Sequence, residues 1–220
     1  MKLSRFFAEF IGVFALVFMG VSAIVSNHLS GGALGLVGIA LAHGLAIAIL
    51  VTVAAPISGG HLNPAVSFGL FISGIMNLKE TAWYILAQVL GGVAATITVS
   101  SLFPADALLQ VSYGTPLPGA NADYSQAFMA ELFATFFLML AVLGTAVDGR
   151  APKLGGLFIG LAVVMGILAI GPVSGGAMNP ARHFGPALFA EYTKTFWVYW
   201  AGPMVGAAFA AIIYRNFLND

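Results

Sequence analysis

The chain has 220 residues, of which 60% are hydrophobic and only 7% are charged, and its eight Lys and Arg balance eight Asp and Glu. So few charges cannot cover a water-exposed surface, which excludes a soluble globular domain of this size. The zero net charge argues against a nucleic-acid partner, and the absence of Cys excludes disulfides, thiol chemistry and Cys-based zinc sites.

The first apolar segment covers about residues 6–26 and follows Lys2 and Arg5, in the manner of a secretory signal peptide. Its run of roughly twenty apolar residues exceeds the usual apolar core of such a peptide, and Glu9 lies inside it. We therefore expect a first membrane span that is retained in the mature protein.

Six apolar segments in all are long enough, or nearly so, to cross the hydrocarbon core of a membrane, which takes roughly 20 residues of helix. Because backbone groups must be paired inside lipid, these segments are predicted to be helices and not open strands. In chain order, the predicted spans are 6–26, 34–55, 81–103, 125–147, 154–171 and 195–216.

Two further apolar segments, 64–75 and 180–190, are too short to cross, and each begins at the Pro of an Asn-Pro-Ala triplet. Segments of this length are typical of re-entrant elements. Asn before a helix and Pro at its first position form a favourable helix start. The chain is therefore predicted to be an all-α membrane protein with six transmembrane helices and two re-entrant half-helices.

The basic residues outside the apolar segments fall mostly on one side of this six-span arrangement. The other side has only Lys194, with Arg182 assigned to the pore. The positive-inside rule then predicts that both termini are cytoplasmic, in an inner or plasma cell membrane. The basic residues of the predicted cytoplasmic side are Lys2, Arg5, Lys79, Arg150, Lys153 and Arg215.

An internal repeat divides the chain into halves of about 1–110 and 122–220. Segment 58–69 matches segment 174–185 at eight of twelve positions. Each half has three spans and one half-helix, and an odd number of spans gives the two halves opposite orientations in the membrane. The sequence therefore predicts one transmembrane channel domain, 1–220, built of two inverted repeats with its working site near the midplane.

The two half-helices are expected to point their N-termini, at Pro64 and Pro180, at each other near the membrane centre. A helix N-terminus carries roughly half a positive charge, so two of them repel cations, including hydronium. The side-chain amides of Asn63 and Asn179 can donate to a water oxygen there, which predicts a pore that interrupts proton relay. The glycines that suit the irregular backbone before each Asn are Gly59, Gly60, Gly175 and Gly176.

These triplets and the repeat resemble the major intrinsic proteins, the family of aquaporins and glycerol facilitators, over essentially the whole chain. The resemblance implies an aquaporin-like right-handed bundle, one pore per protomer, a homotetramer, and neither cofactor nor metal. It also implies that Glu9 and Glu131 brace the pore loops, with proton handling as the alternative role. The implied pore motifs are Asn63, Pro64, Ala65, Asn179, Pro180 and Ala181, and the implied lining carbonyls are those of Gly59, Gly60, His61, Gly175, Gly176 and Ala177.

By matching positions, the family's outer selectivity filter consists here of His43, Ile167, Gly176 and Arg182. This set resembles the vacuolar-type plant aquaporins that pass ammonia as well as water. Water-specific members have Phe and His at the first two positions, and glycerol facilitators have Asp after the Arg, where this chain has His183. The resemblance implies a passive channel for water, ammonia and other small neutral solutes that excludes ions and protons. Segment 104–124 lacks the loop His that those plant channels carry near the pore.

Other classes of protein stay open at this point. A glycerol-type facilitator is the main alternative, and a secondary transporter would need ionisable groups at the midplane, for which the spans offer Glu9 and Glu131. An enzyme is not expected, because the four His residues are scattered and form no cluster with Asp or Glu. Without the resemblance, His43 would be interpreted as a core histidine. His61 either lines the inner vestibule or acts as a pH gate.

Overall fold

The structure is a computed structural model that describes residues 2–218, and this part of the chain contains helices and no strand. The ends of the predicted domain, residues 1 and 219–220, lie outside the described residues. The helices are α1 (Leu3–Leu29), α2 (Gly35–Ser58), α3 (Pro64–Ile72), α4 (Leu78–Leu102), α5 (Ala105–Gln110), α6 (Tyr124–Val142), α7 (Gly155–Ser174), α8 (Pro180–Phe189) and α9 (Phe196–Ile213).

The predicted fold class is confirmed, with six helices long and apolar enough to cross a membrane and two short helices at the predicted half-helices. Helices α2 and α7 continue past the predicted ends at 55 and 171, because Pro56 and Pro172 are accommodated in their last turns. Each ends instead at a glycine with positive φ, Gly59 (φ 94) or Gly175 (φ 79), the conformation that favours glycine after a helix. Helix α5 was not predicted.

The half-helices α3 and α8 begin where the sequence predicts. Oδ1 of Asn63 accepts a hydrogen bond from the backbone N–H of Ala65 (2.8 Å), and Pro64 occupies the first turn. Oδ1 of Asn179 accepts from the N–H groups of Ala181 (3.0 Å) and Arg182 (3.3 Å). Each Asn therefore satisfies backbone donors that a helix start leaves without partners.

Helix pairing follows the repeat. Helix α1 packs along α4 in the first half and α6 along α9 in the second, whereas α2 and α7 pack against each other across the halves. A Cβ on Gly44 would lie 2.6 Å from the carbonyl oxygen of Gly160, and a Cβ on Gly206 would overlap the carbonyl oxygen of Leu132. Close backbone approach of this kind holds helices together in lipid, where hydrophobicity cannot.

Helix α2 shows how one span divides lipid from interior. Leu45, Ile49 and Val53 are more than half exposed on the outer surface of the bundle. On the opposite face, His43 and Val51 are buried, as is the residue midway between them. Residues four apart share a helix face, so the inward side chains of α2 form a continuous strip. That strip is one wall of a cavity between the two halves.

Candidate pore and selectivity filter

A cavity lies between the two halves and is lined by residues of both. The predicted filter residues and both Asn residues of the triplets share this single cavity. Its lining residues are Leu16, His43, Ile47, Val51, His61, Asn63, Val66, Leu138, Ile159, Val163, Ile167, Gly176, Ala177, Met178, Asn179 and Arg182.

One wall of the cavity repeats between the halves. Three residues of α2 and three of α7, all four positions apart and equivalent in the repeat, form it: His43, Ile47 and Val51, and Ile159, Val163 and Ile167. Of these six side chains only the imidazole of His43 can form hydrogen bonds. The α2–α7 wall is therefore apolar except at one point, where the second half has Ile159 at the position equivalent to His43.

The two triplets meet at the centre of the bundle through their Asn side chains. Nδ2 of Asn63 donates to the carbonyl of Met178 (2.7 Å), and Nδ2 of Asn179 donates to the carbonyl of Leu62 (2.8 Å). An amide NH₂ group has two hydrogens, so each Asn keeps one N–H for the cavity that it lines. The sequence indicates amides at this point, but it does not indicate the crossed bonds that fix their orientation.

A fully buried carboxylate holds the chain that precedes the first triplet. Glu9 accepts hydrogen bonds from the backbone N–H groups of His61 (3.0 Å) and Leu62 (2.7 Å) and from the hydroxyl of Ser58 (2.7 Å). Nε2 of Gln88 donates a fourth bond (2.7 Å). We call these five residues the Glu9 cluster. Four donors around one carboxylate compensate for its removal from water.

The second half repeats this arrangement around Glu131, which is also fully buried. Glu131 accepts from the backbone N–H groups of Ala177 (2.8 Å) and Met178 (2.6 Å) and from the hydroxyl of Ser174 (2.7 Å). The Ser174 hydroxyl in turn accepts from the N–H of Gly176 (3.2 Å). We call these five residues the Glu131 cluster. Both pore loops are thus hydrogen-bonded to a buried acid at equivalent positions.

Two tyrosines, which the sequence analysis does not identify, connect each loop to the last long helix of its half. The hydroxyl of Tyr84 donates to the carbonyl of Ser58, and the hydroxyl of Tyr199 donates to the carbonyl of Ser174, both at 2.7 Å. Both tyrosines are buried. Their equivalent positions in the two halves are the signal that could have found them, because a buried Tyr hydroxyl needs a partner.

At one end of the cavity, Arg182 and His43 are hydrogen-bonded. Nη2 of Arg182 lies 3.1 Å from Nε2 of His43, and Nδ1 of His43 lies 2.8 Å from the carbonyl oxygen of Ile39. A carbonyl oxygen only accepts, so Nδ1 carries the imidazole proton and Nε2 accepts from the guanidinium. The imidazole is therefore neutral and faces the cation with its lone pair.

The second partner of Arg182 comes from a segment for which the sequence gives no such signal. Nη1 of Arg182 donates to the carbonyl of Gly114 (2.7 Å), between α5 and α6. The preceding residues Ser112 (φ 48) and Tyr113 (φ 54) have left-handed backbone angles that residues other than glycine rarely adopt. This strained turn brings the Gly114 carbonyl to the guanidinium.

The residues predicted to line the path separate into three groups. His61, Gly176 and Ala177 line the central cavity. Gly59 lines a neighbouring cavity that shares Val51 with it. Gly60 and Gly175 are not among the residues that line the central cavity. The role predicted for their carbonyls stays a prediction.

The two remaining histidines near the triplets have different surroundings. Nδ1 of His61 lies 3.2 Å from the hydroxyl of Ser67, and its ring faces the cavity. His183 stacks on Tyr199, with ring centroids 4.1 Å apart, and its Nε2 lies 3.2 Å from the hydroxyl of Thr195. Within residues 2–218, no three His, Asp or Glu side chains come together as potential metal ligands.

The chain matches known proteins over nearly its whole length. The family model described as "Major intrinsic protein" matches residues 1–214. The chain is 41% identical to aquaporin TIP4-4 of Zea mays over 94% of this chain and 83% of that protein, and 41% identical to aquaporin TIP2-1 of Arabidopsis thaliana over 98% and 87%. The X-ray structure of the aquaglyceroporin from Plasmodium falciparum matches with a TM-score of 0.88 at 28% identity, and the match covers 98% of this chain and 96% of that one.

These relatives confirm the predicted family and the predicted vacuolar-type resemblance. The relatives named as aquaporins favour a water channel over a glycerol facilitator, although the matching solved structure is that of an aquaglyceroporin. The chain belongs to the major intrinsic protein family and is a multi-pass membrane channel of the aquaporin type.

Proposed function

We propose that the central cavity is a passive path for water, with ammonia and other small neutral solutes as further passengers. The observation that carries this proposal is the crossed pair of Asn63 and Asn179, each of which keeps one N–H on a largely apolar cavity. Two donors beside an apolar wall favour a small molecule that accepts hydrogen bonds and carries no charge.

The centre of the cavity, between the two Asn side chains, also excludes ions and protons. Helices α3 and α8 begin at Pro64 and Pro180, so their positive N-terminal ends lie beside the cavity. A water that accepts from both Asn side chains has its hydrogens turned away from the centre, and it cannot relay a proton across it. Ala65 and Ala181 are fully buried at the second positions of these helices.

The solute filter consists of His43, Ile167, Gly176 and Arg182. The guanidinium repels cations, and the neutral imidazole beside it adds no charge. Ile167 offers no polar group and Gly176 has no side chain, so these two residues remove polarity and bulk from two walls of the filter. The whole filter is therefore wider and less selective for water than one with Phe at position 43 and His at position 167. A wider and less polar filter supports the passage of ammonia.

The buried acids brace the pore loops. Glu9 and Glu131 bind the backbone N–H groups directly before each Asn, which leaves the carbonyls of those loops for the path. The carbonyls assigned to the path are those of Gly59, Gly60, His61, Gly175, Gly176 and Ala177. This role uses each carboxylate as an acceptor, so neither is needed for proton transfer. Passive flux needs no chemical step, and we expect no enzymatic activity.

The deciding measurement is stopped-flow light scattering of proteoliposomes under water, ammonia and glycerol gradients. We expect fast water flux, measurable ammonia flux, slow glycerol flux and no proton current. His43→Phe should reduce ammonia flux more than water flux, because the larger phenyl ring narrows the filter and cannot accept a hydrogen bond from Arg182. Met19→Ala is the control, since Met19 is 51% exposed on the outer surface of α1. Equal losses of both fluxes in His43→Phe would refute the assigned filter.

A glycerol facilitator is the second candidate, favoured by the structural match to an aquaglyceroporin. Glycerol flux equal to water flux in the same proteoliposomes would support it and overturn the proposed selectivity. Saturable flux that depends on an ion gradient would instead indicate a secondary transporter.

The distribution of basic residues supports a proposal for the membrane and the orientation of the chain. The chain lies in a cell membrane with both termini in the cytoplasm, because nearly all basic residues outside the pore are at the ends of the spans on one side. The chain contains no Cys, so a single Cys introduced at Lys2 or at Lys194 can be labelled without background. An impermeant maleimide added to intact cells should label position 194 and not position 2. The protein forms a homotetramer, which chemical crosslinking in membranes would detect.

A further inference from the structure

The imidazole of the filter lies directly against α1. Gly20 of α1 is buried, and a Cβ built on it would overlap the ring of His43, at Nε2 above all. The opposite edge of the ring is held by Ile39, whose carbonyl accepts from Nδ1. Because the ring has α1 on one side and its own helix on the other, the cavity is the remaining space into which it can move.

The repeat provides an internal comparison for this contact. When Glu131 is aligned with Glu9, Val142 of α6 is equivalent to Gly20, and when Ser174 is aligned with Ser58, Ile159 is equivalent to His43. The second half therefore has a branched side chain where the first half has none. This helix position does not need glycine in general. Glycine is found at position 20 in the half that has an imidazole at position 43.

The residue after Gly20 supports the other partner of Arg182. Val21 is buried, and both of its Cγ atoms lie 3.2 Å from the place that a Cβ on Gly114 would occupy. The carbonyl of Gly114 and Nε2 of His43 are the two acceptors of the guanidinium. One short stretch of α1 thus contacts both groups that hold Arg182.

We propose that Gly20 is a positioning residue of the selectivity filter. Its missing side chain leaves the space in which the His43 ring lies back against α1 and accepts from Arg182. A methyl group at position 20 forces the ring into the cavity and breaks its bond to the guanidinium. This inference rests on the proposed water path and on the filter role of His43.

The test compares Gly20→Ala, His43→Ala and the double variant Gly20→Ala/His43→Ala in proteoliposomes, with water flux divided by the amount of inserted protein. Gly20→Ala should reduce water flux about tenfold, which corresponds to about 1.4 kcal/mol of added barrier. The double variant has no ring to displace, so it should conduct within about twofold of His43→Ala alone. Met19→Ala, with its side chain on the outer surface, should conduct like the wild type.

The double variant separates positioning from mere helix packing. If Gly20 only packs α1, removal of the imidazole cannot restore flux, and a double variant as slow as Gly20→Ala refutes the inference. Unchanged flux in Gly20→Ala refutes it as well. If Gly20→Ala fails to fold, a double variant that folds and conducts supports the inference, and one that also fails to fold refutes it. A wild-type protein without water flux would refute the proposed function instead.

Discussion

The Glu9 cluster and the Glu131 cluster hold their loops with the same three donors and differ in the fourth. Each carboxylate binds one Ser hydroxyl and two backbone N–H groups. Gln88 adds a fourth bond to Glu9, whereas the equivalent position in α9 is Pro203, which has no donor. The repeat thus preserves the bonds that fix the loop backbone, while the fourth donor is present only in the first half. Glu131 has three donors and Glu9 has four, so the loss of one bond removes a larger share of the stabilisation of Glu131.

The two clusters also differ in whether hydrogen bonds connect the buried acid to the cavity wall. In the first half, Nε2 of Gln88 donates to the hydroxyl of Ser67 (3.1 Å), which lies 3.2 Å from Nδ1 of His61 on the cavity wall. In the second half, the residue equivalent to Ser67 is His183, and it is stacked on Tyr199 away from the cavity. Polar contacts therefore extend from the acid to the cavity wall in the first half, and an aromatic stack takes their place in the second.

The largest expected effect is that of Glu131→Gln. The new amide keeps one acceptor oxygen and turns its NH₂ group toward a buried backbone N–H. One hydrogen bond to a charged acceptor is lost and two buried donors face each other without an acceptor, which should lower the free energy of unfolding by about 3–6 kcal/mol. Glu9→Gln should cost about 1–3 kcal/mol less, because Oε1 of Gln88 is buried without a partner and can accept from the new amide. Unfolding in detergent on SDS titration measures both.

Glu80→Gln is the matched control for these variants. Glu80 is partly exposed and forms a 3.5 Å salt bridge with Arg5, so its neutralisation should change stability by less than about 1 kcal/mol. Equal losses in Glu9→Gln and Glu131→Gln would contradict the idea that Gln88 distinguishes the two clusters.

A smaller effect is expected from Gln88→Met, which gives the Glu9 cluster the three donors of its counterpart. The variant loses the bond to the charged Glu9 and the weaker bond to the Ser67 hydroxyl, which together should cost about 2–4 kcal/mol. The double variant Glu9→Gln/Gln88→Met should lose more than the sum of the single variants, since the accepting Oε1 has gone. A double-mutant cycle in the same SDS titration measures this coupling, and strict additivity would rule out the exchange of partners.

Removal of either tyrosine hydroxyl should lower the free energy of unfolding by nearly the same amount, and by less than the variants of the acids and of Gln88. Tyr84→Phe and Tyr199→Phe each delete one 2.7 Å bond to a Ser carbonyl, so each should cost about 1 kcal/mol. Tyr124→Phe, at a half-exposed position, is the control. A much larger loss in Tyr199→Phe would show that the hydroxyl also supports the ring that stacks on His183.

The sequence predicts much of this architecture and less of its bonding. Composition and apolar length predict the six spans, and the duplicated triplets predict both half-helices, because these signals are local. The bond from Arg182 to Gly114 joins residues 68 positions apart, and that from Asn63 to Met178 joins residues 115 positions apart. No local pattern encodes such approaches, and the role of Gly20 depends on the ring that faces it.

The loops that follow the first helix of each half extend the comparison to the surface. After α1, Oδ1 of Asn27 accepts from the backbone N–H groups of Leu34 (3.1 Å) and Gly35 (2.8 Å). After α6, Asp148 is bound by the guanidinium of Arg150 and by the hydroxyl of Tyr214 (2.7 Å). These two partners hold the pKa of the Asp148 carboxyl well below its usual range. The first loop is thus held by a neutral amide and the second by a charge.

The smallest expected effect follows from that difference and depends on pH. A carboxyl with a lowered folded-state pKa stabilises the protein above the unfolded pKa of about 3.9, and the stabilisation is lost as pH falls toward the folded value. Tyr214→Phe removes one partner of Asp148, so it should lower the melting temperature by about 1–3 °C at neutral pH and by less below about pH 4. Asn27→Ala should lower it equally at both pH values, since an amide does not titrate. Thermal unfolding in detergent at the two pH values measures both, and a loss in Tyr214→Phe that stays constant on acidification would mean that the hydroxyl acts by packing and not through the carboxylate.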